Sequence, residues 1–122
     1  MNPSVLELRI DEARTHLGAV ALEVGWKTLS RDIETAIAEV EDEIARVAAA
    51  VPGHMELQTG DPTIAQMAVA GGDRVYREAV EQLLQRTAAR PAGTRRFLGT
   101  LVILRELMHH FDLPAIRVSS GP

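Results

Sequence analysis

The chain has 122 residues, 46% of them apolar, with no cysteine and a formal net charge of −4. That length fits one domain with a core of its own, and the lack of cysteine excludes disulfides, thiolate metal sites and thiol nucleophiles. No apolar run approaches the roughly 20 residues that span a bilayer, and Glu7, Asp11 and Glu12 spoil any signal-peptide pattern, so a cytoplasmic protein without membrane contact is expected.

The first segment carries apolar residues at Leu6, Ile10, Ala13, Leu17, Val20 and Val24, alternating steps of four and three. Such a spacing averages 3.5 residues and keeps one seam of a helix facing a partner, which predicts a helix over 3–24. Asn2-Pro3 is a start signal, and Gly25 followed by Trp26 is a stop. Leu6, Leu8 and Ile10 also alternate as in a strand, but the heptad accounts for six positions against three and is preferred. Ile33, Ile37, Val40, Ile44, Val47 and Val51 repeat the same spacing. With Ser30 as a capping type and Pro52-Gly53 as a terminator, they predict a second helix over 31–51. The two form an antiparallel αα-hairpin, 3–51, turning near Gly25-Trp26.

Residues 52–61 read as a loop in which Met55 and Leu57 allow a short extended piece. Asp61-Pro62 opens a helix over 62–70, and Gly71-Gly72 marks a kink or a turn. Asp73 precedes an amphipathic helix over 74–89 with outward pairs Arg74–Glu78 and Arg77–Glu81. Thr94 precedes a helix over 95–111 that is apolar almost all round, as in a central or chain-covered helix. Asp112-Leu113-Pro114 stops it, and the tail 112–122 offers a weak strand at Ile116 and Val118. Only Trp26, Tyr76, Phe97 and Phe111 are aromatic. A core of Leu, Ile, Val and Ala favours packed helices, so the expected fold is an all-α, single-domain antiparallel bundle of four to five helices, with a second helical pair at 62–111.

Charge is held unevenly, −7 over residues 1–61 and +3 over 62–122. Asp32, Glu34, Glu39, Glu41, Asp42 and Glu43 crowd the second helix, whereas Arg86, Arg90, Arg95 and Arg96 cluster later. Two arginines in a helix's first turn oppose the helix dipole unless an anion or carboxylate compensates. Arg95 and Arg96 are therefore expected to meet carboxylates, in this chain or in a second copy. Nucleic acid is disfavoured by the acidic balance and the scarcity of rings for base stacking.

Arg105-Glu106-Leu107-Met108-His109-His110 is the densest reactive cluster. Glu106 and His109 have the Glu-x-x-His spacing of carboxylate-bridged metal bundles, with Glu12 and His16 as a second Glu–His pair at a spacing of four. Arg105 and His110, four residues apart, resemble the Arg-x(4–6)-His signature of HEPN ribonucleases. That resemblance implies a helical dimer in which Arg105 holds the scissile phosphate and His110 moves protons. Glu106 stands where a small polar residue commonly follows the arginine, and Asp112 where an aromatic is frequent. In the plainer reading Arg105, Glu106 and His109 form one wet stripe, with His110 favoured by the helix C-terminus. No Gly-rich phosphate loop, Gly-x-Ser-x-Gly elbow or His-Glu-x-x-His motif occurs. The expectation is a non-catalytic helical adaptor or assembly subunit, without cofactor, that self-associates or binds a protein partner.

Overall fold

The computed structural model describes residues 4–68, 72–88 and 94–119. Among them run β1 (Ser4–Ile10), β2 (Thr15–Leu17), β3 (Val20–Leu22), α1 (Ile33–Val47), a 3-10 turn (Ala48–Ala50), β4 (Met55–Thr59), α2 (Pro62–Ala65), β5 (Arg74–Tyr76), α3 (Arg77–Ala88), α4 (Arg95–His110) and β6 (Ala115–Val118). The six strands form one mixed sheet in the order β3-β2-β1-β4-β6-β5. β1, β4 and β6 are parallel. β2 and β3 continue from β1 as an antiparallel meander, and β5 is antiparallel to β6.

This α/β architecture overturns the all-α bundle, the coiled-coil hairpin over 3–51 and the helix over 3–24. Residues 4–22 are three strands. Leu8 and Ile10 are buried while Glu7 and Arg9 face outward, the period of two that marks a half-buried strand. Of the four-three spacing, Ile10, Leu17 and Val24 are buried and Leu6 and Val20 partly buried against the core, whereas Ala13 lies exposed in a turn. That turn closes with the Asp11 amide donating to the Arg14 carbonyl at 2.7 Å. Gly18 takes φ 61° at the next turn, a left-handed conformation that glycine adopts without steric cost.

The other segments follow expectation more closely. α1 buries Val40, Ile44 and Val47 of the predicted seam together with Ala36, while Ile33 and Ile37 are partly buried, and its cap is Asp32, whose carboxylate accepts from the Thr35 amide at 3.0 Å. Ser30 instead donates its amide to Glu39. Met55 and Leu57 belong to β4, and the tail forms β6. The helix expected over 74–89 begins at Arg77 because residues 74–76 pair with β6. The Asn2-Pro3 start, Gly71 and the tail beyond Ser119 lie outside the described residues, and the helix expected over 62–70 is resolved as helix only to Ala65.

α4 is apolar along most of its middle because it packs against α1, α3 and α2. Leu101, Ile103, Leu104 and Leu107 are fully buried, each contributing roughly 1.5–3 kcal/mol. Intrachain packing therefore accounts for the apolar surface that pointed to self-association. The sheet's other face stays open and polar, with Glu7, Arg9, Glu56, Arg74 and Arg117 exposed. Among the described residues no helix is long and apolar enough to cross a membrane.

Candidate functional site

In open α/β sheets, ligands sit beyond the carboxyl ends of parallel strands, where loops and helix N-termini converge. At that end of β1 and β4 lies a cleft of about 350 Å³, lined by Glu7, Leu8, Arg9, Ile10, Asp11, Gly60, Asp61 and Arg96. Its floor is tied together by Thr59. The Thr59 hydroxyl donates to the Leu8 carbonyl at 2.8 Å and accepts from the Asp61 amide at 3.1 Å. Ser119, after β6, donates its amide to the Thr59 carbonyl at 2.9 Å. Asp61 caps α2 through Oδ1, which accepts from the amides of Thr63 and Ile64.

The opposite rim is set by close backbone packing. A Cβ on Gly25 would lie 2.2 Å from the Asp11 carbonyl oxygen, and one on Gly99 would lie 2.6 Å from the Trp26 carbonyl oxygen. Only hydrogen fits at either position, so residues 25–27 are held between the β1–β2 turn and α4. The Trp26 and Lys27 amides donate to the Asp11 and Glu12 carbonyls at 3.2 and 3.0 Å. Arg96 lies over the Trp26 ring at 5.7 Å, a cation–π contact that positions the guanidinium beside the cleft. The Asp11 carboxylate is exposed and reaches 3.5 Å from His16 Nε2. The cleft thus offers two guanidinium groups, Arg9 and Arg96, for anionic oxygens, beside the carboxylates of Glu7, Asp11 and Asp61.

Of the candidate binding and catalytic residues named in the sequence, Arg96 is the one among the described residues that lines this cleft. Arg95 donates to the carbonyls of Lys27 and Leu29 at 2.6 and 3.3 Å and borders a second cavity of about 340 Å³ with Trp26, Arg31 and Leu98. Arg86 is exposed on α3, and Arg90 lies outside the described residues. No ion pair joins Arg95 or Arg96 to α1 among the described residues. The acids of α1 have local work instead. Hydrogen bonds from Thr35 hold Asp32 below the ordinary carboxylate range. Glu43 is likewise lowered, by Arg46 first and then by the Glu23 amide. Glu39 accepts from Ser30, and Glu41 faces His110 at 3.4 Å. Glu34 and Asp42 are exposed.

Arg105 and His110 do not form a phosphate-cleaving pair. Arg105 bridges Glu81 and Glu106. Burial works against its charge, but those two carboxylates outweigh it and hold the guanidinium above its usual value. Glu106 approaches His110, not His109, whose ring stands edge-on to that of His110. Asp11, Asp61, Gly25 and Trp26 were not read as parts of one site. Their signal was an acid or Gly-Asp placed directly after an alternating apolar run, Ile10-Asp11 and Thr59-Gly60-Asp61.

No protein-family model matches the sequence, and no curated protein is similar to it. Solved structures are. A crystal structure of the Aquifex aeolicus member of the Ppx/GppA protein family matches 98% of this chain and 53% of its own at 12% identity, with a TM-score of 0.73. A structure of the Aquifex aeolicus PPX-GPPA enzyme matches 98% and 54% at 13% identity, TM-score 0.69. The type II variant of the Aquifex aeolicus Ppx/GppA phosphatase matches 98% and 54% at 12% identity, TM-score 0.73. The helical adaptor, the HEPN-type ribonuclease and the carboxylate–histidine bundle all depended on an all-helical fold, and the mixed sheet sets all three aside. The chain has the fold of these Ppx/GppA structures and spans about half of their length.

Proposed function

We propose that this chain is a phosphoryl-ligand-binding lobe of a phosphatase-type α/β protein, with its ligand in the cleft between the β1–β2 turn, the β4–α2 turn and the start of α4. The observation that carries the reading is the meeting of Asp11, Asp61 and Arg96 at the carboxyl ends of parallel β1 and β4. It gains support from the fold's likeness to a structure described as a Ppx/GppA phosphatase. Arg96 and Arg9 neutralise phosphoryl oxygens, and Asp11 orients water for attack on phosphorus. One side of the cleft is open, and the matched structures hold about as much chain again. A second lobe, from further sequence or a second copy, supplies the opposite wall.

Titration with inorganic pyrophosphate, followed by amide and guanidinium NMR resonances, tests the reading. Shifts should concentrate at residues 11–14, at Gly60-Asp61 and at the Arg96 side chain. Arg96→Ala should weaken binding about tenfold, the loss of one charge-assisted hydrogen bond. Shifts confined to other arginines, or none at millimolar ligand, would overturn it.

A further inference from the structure

We infer that Glu41, Glu106 and His110 form a binding site for one divalent transition-metal ion that clasps α1 to α4. The site is separate from the cleft, since His110 lies about 21 Å along α4 from Arg96 at 1.5 Å per residue.

Glu106 and His110 are one helical turn apart on α4 and so share a face. Glu41 comes from α1, beside the buried Val40 and Ile44 that pack this helix against α4. The Glu106 side chain is only 3% exposed. Its Oε2 accepts from Arg105, which also binds Glu81 at 2.8 Å. Its Oε1 faces the His110 ring. His110 Nε2 stands 3.6 Å from that oxygen and 3.4 Å from Glu41 Oε2. Both separations are too long for good hydrogen bonds. They match the edge of a ligand tetrahedron, about 3.4 Å when the metal–ligand bonds are about 2.1 Å. All three donor atoms lie within 4.8 Å of one another.

Charge points the same way. Within this group the carboxylates of Glu41, Glu81 and Glu106 outnumber the one guanidinium, Arg105, which pairs with Glu81 and Glu106 while Glu41 lies against His110. With a neutral imidazole the excess is two negative charges, which a divalent ion cancels. One imidazole nitrogen and two carboxylate oxygens suit zinc or cobalt, with water at the remaining position. The neighbouring His109 ring stands edge-on at 5.8 Å between centroids and lies outside the ligand set.

The test uses chelator-treated full chain titrated with Co²⁺, read by its visible absorption and by calorimetry, and with Zn²⁺, read by thermal melting. One equivalent should bind, give the intense bands of a four-coordinate Co²⁺ site and raise Tm. His110→Ala and Glu41→Gln, both at half-exposed positions, should each weaken binding at least about tenfold. Asp11→Asn and His109→Ala should bind like the unmodified chain. Absence of stoichiometric uptake, or uptake unchanged in both His110→Ala and Glu41→Gln, overturns the site, as does a loss seen only in His109→Ala. Failure here leaves pyrophosphate binding at the cleft unaffected, so the two readings stand or fall separately.

Discussion

The hydroxyl of Thr59 donates to the carbonyl of Leu8, 51 residues earlier, across 2.8 Å of fully buried space. It also accepts from Asp61, so one side chain joins β1 to β4 and fixes the acid that follows. Thr59→Val keeps the shape but removes both bonds, leaving the Asp61 amide without this acceptor. The expected loss is about 1–3 kcal/mol, with Thr59→Ser recovering most of it. Urea denaturation of the two variants measures this.

Gly25→Ala should be among the most damaging single-methyl additions in the chain. The new carbon meets backbone atoms of Asp11 and Glu12 at 2.2–2.4 Å, and backbone cannot rotate away as a side chain can. The cost should reach or exceed the 1–3 kcal/mol usual for overpacking. Gly53→Ala, where a Cβ meets nothing within 4 Å, is the comparison and should leave Tm nearly unchanged.

Removing Glu106 strands a partly buried guanidinium. Glu106→Leu should lose about 3 kcal/mol, moderated by the retained Glu81 contact. Glu106→Leu with Arg105→Leu should regain stability relative to the single change, because the guanidinium is then gone and only the Glu81 carboxylate, 37% exposed, loses its partner to water. A double-mutant cycle by chemical denaturation gives the coupling.

Acid should loosen the start of α1 and its contact with β3. Glu43 and Asp32 have folded-state values depressed below 4.5 and 3.8 respectively. Their contribution is present above those unfolded values and is lost as pH falls through the lower folded ones. Both groups are solvated, so the effect is small. Glu43→Gln should slightly flatten the fall in urea midpoint between pH 5 and pH 2 that the unmodified chain shows.

The helical parts of the fold were legible because local chemistry and packing agreed there. Thr94 caps α4 through the Phe97 amide, and Asp61 caps α2 ahead of Pro62. β1–β3 were obscured because a spacing of four or three can also arise from alternation interrupted by turns. Gly18, inside a supposed 22-residue helix, was the local objection, and the rejected Leu6-Leu8-Ile10 alternation was the correct period. The cleft was less legible than the fold. Asp11 and Asp61 are 50 positions apart in sequence and become neighbours only when β1 and β4 pair in parallel, a relation that no short motif encodes.

Both sheet margins are three-residue strands, Val20–Leu22 and Arg74–Tyr76. A neighbouring strand added at either side would find only one or two free main-chain donors and acceptors, too few to seed a growing ribbon. Truncated margins thus guard against aggregation by strand addition, and they leave partners to recognise side chains instead of backbone.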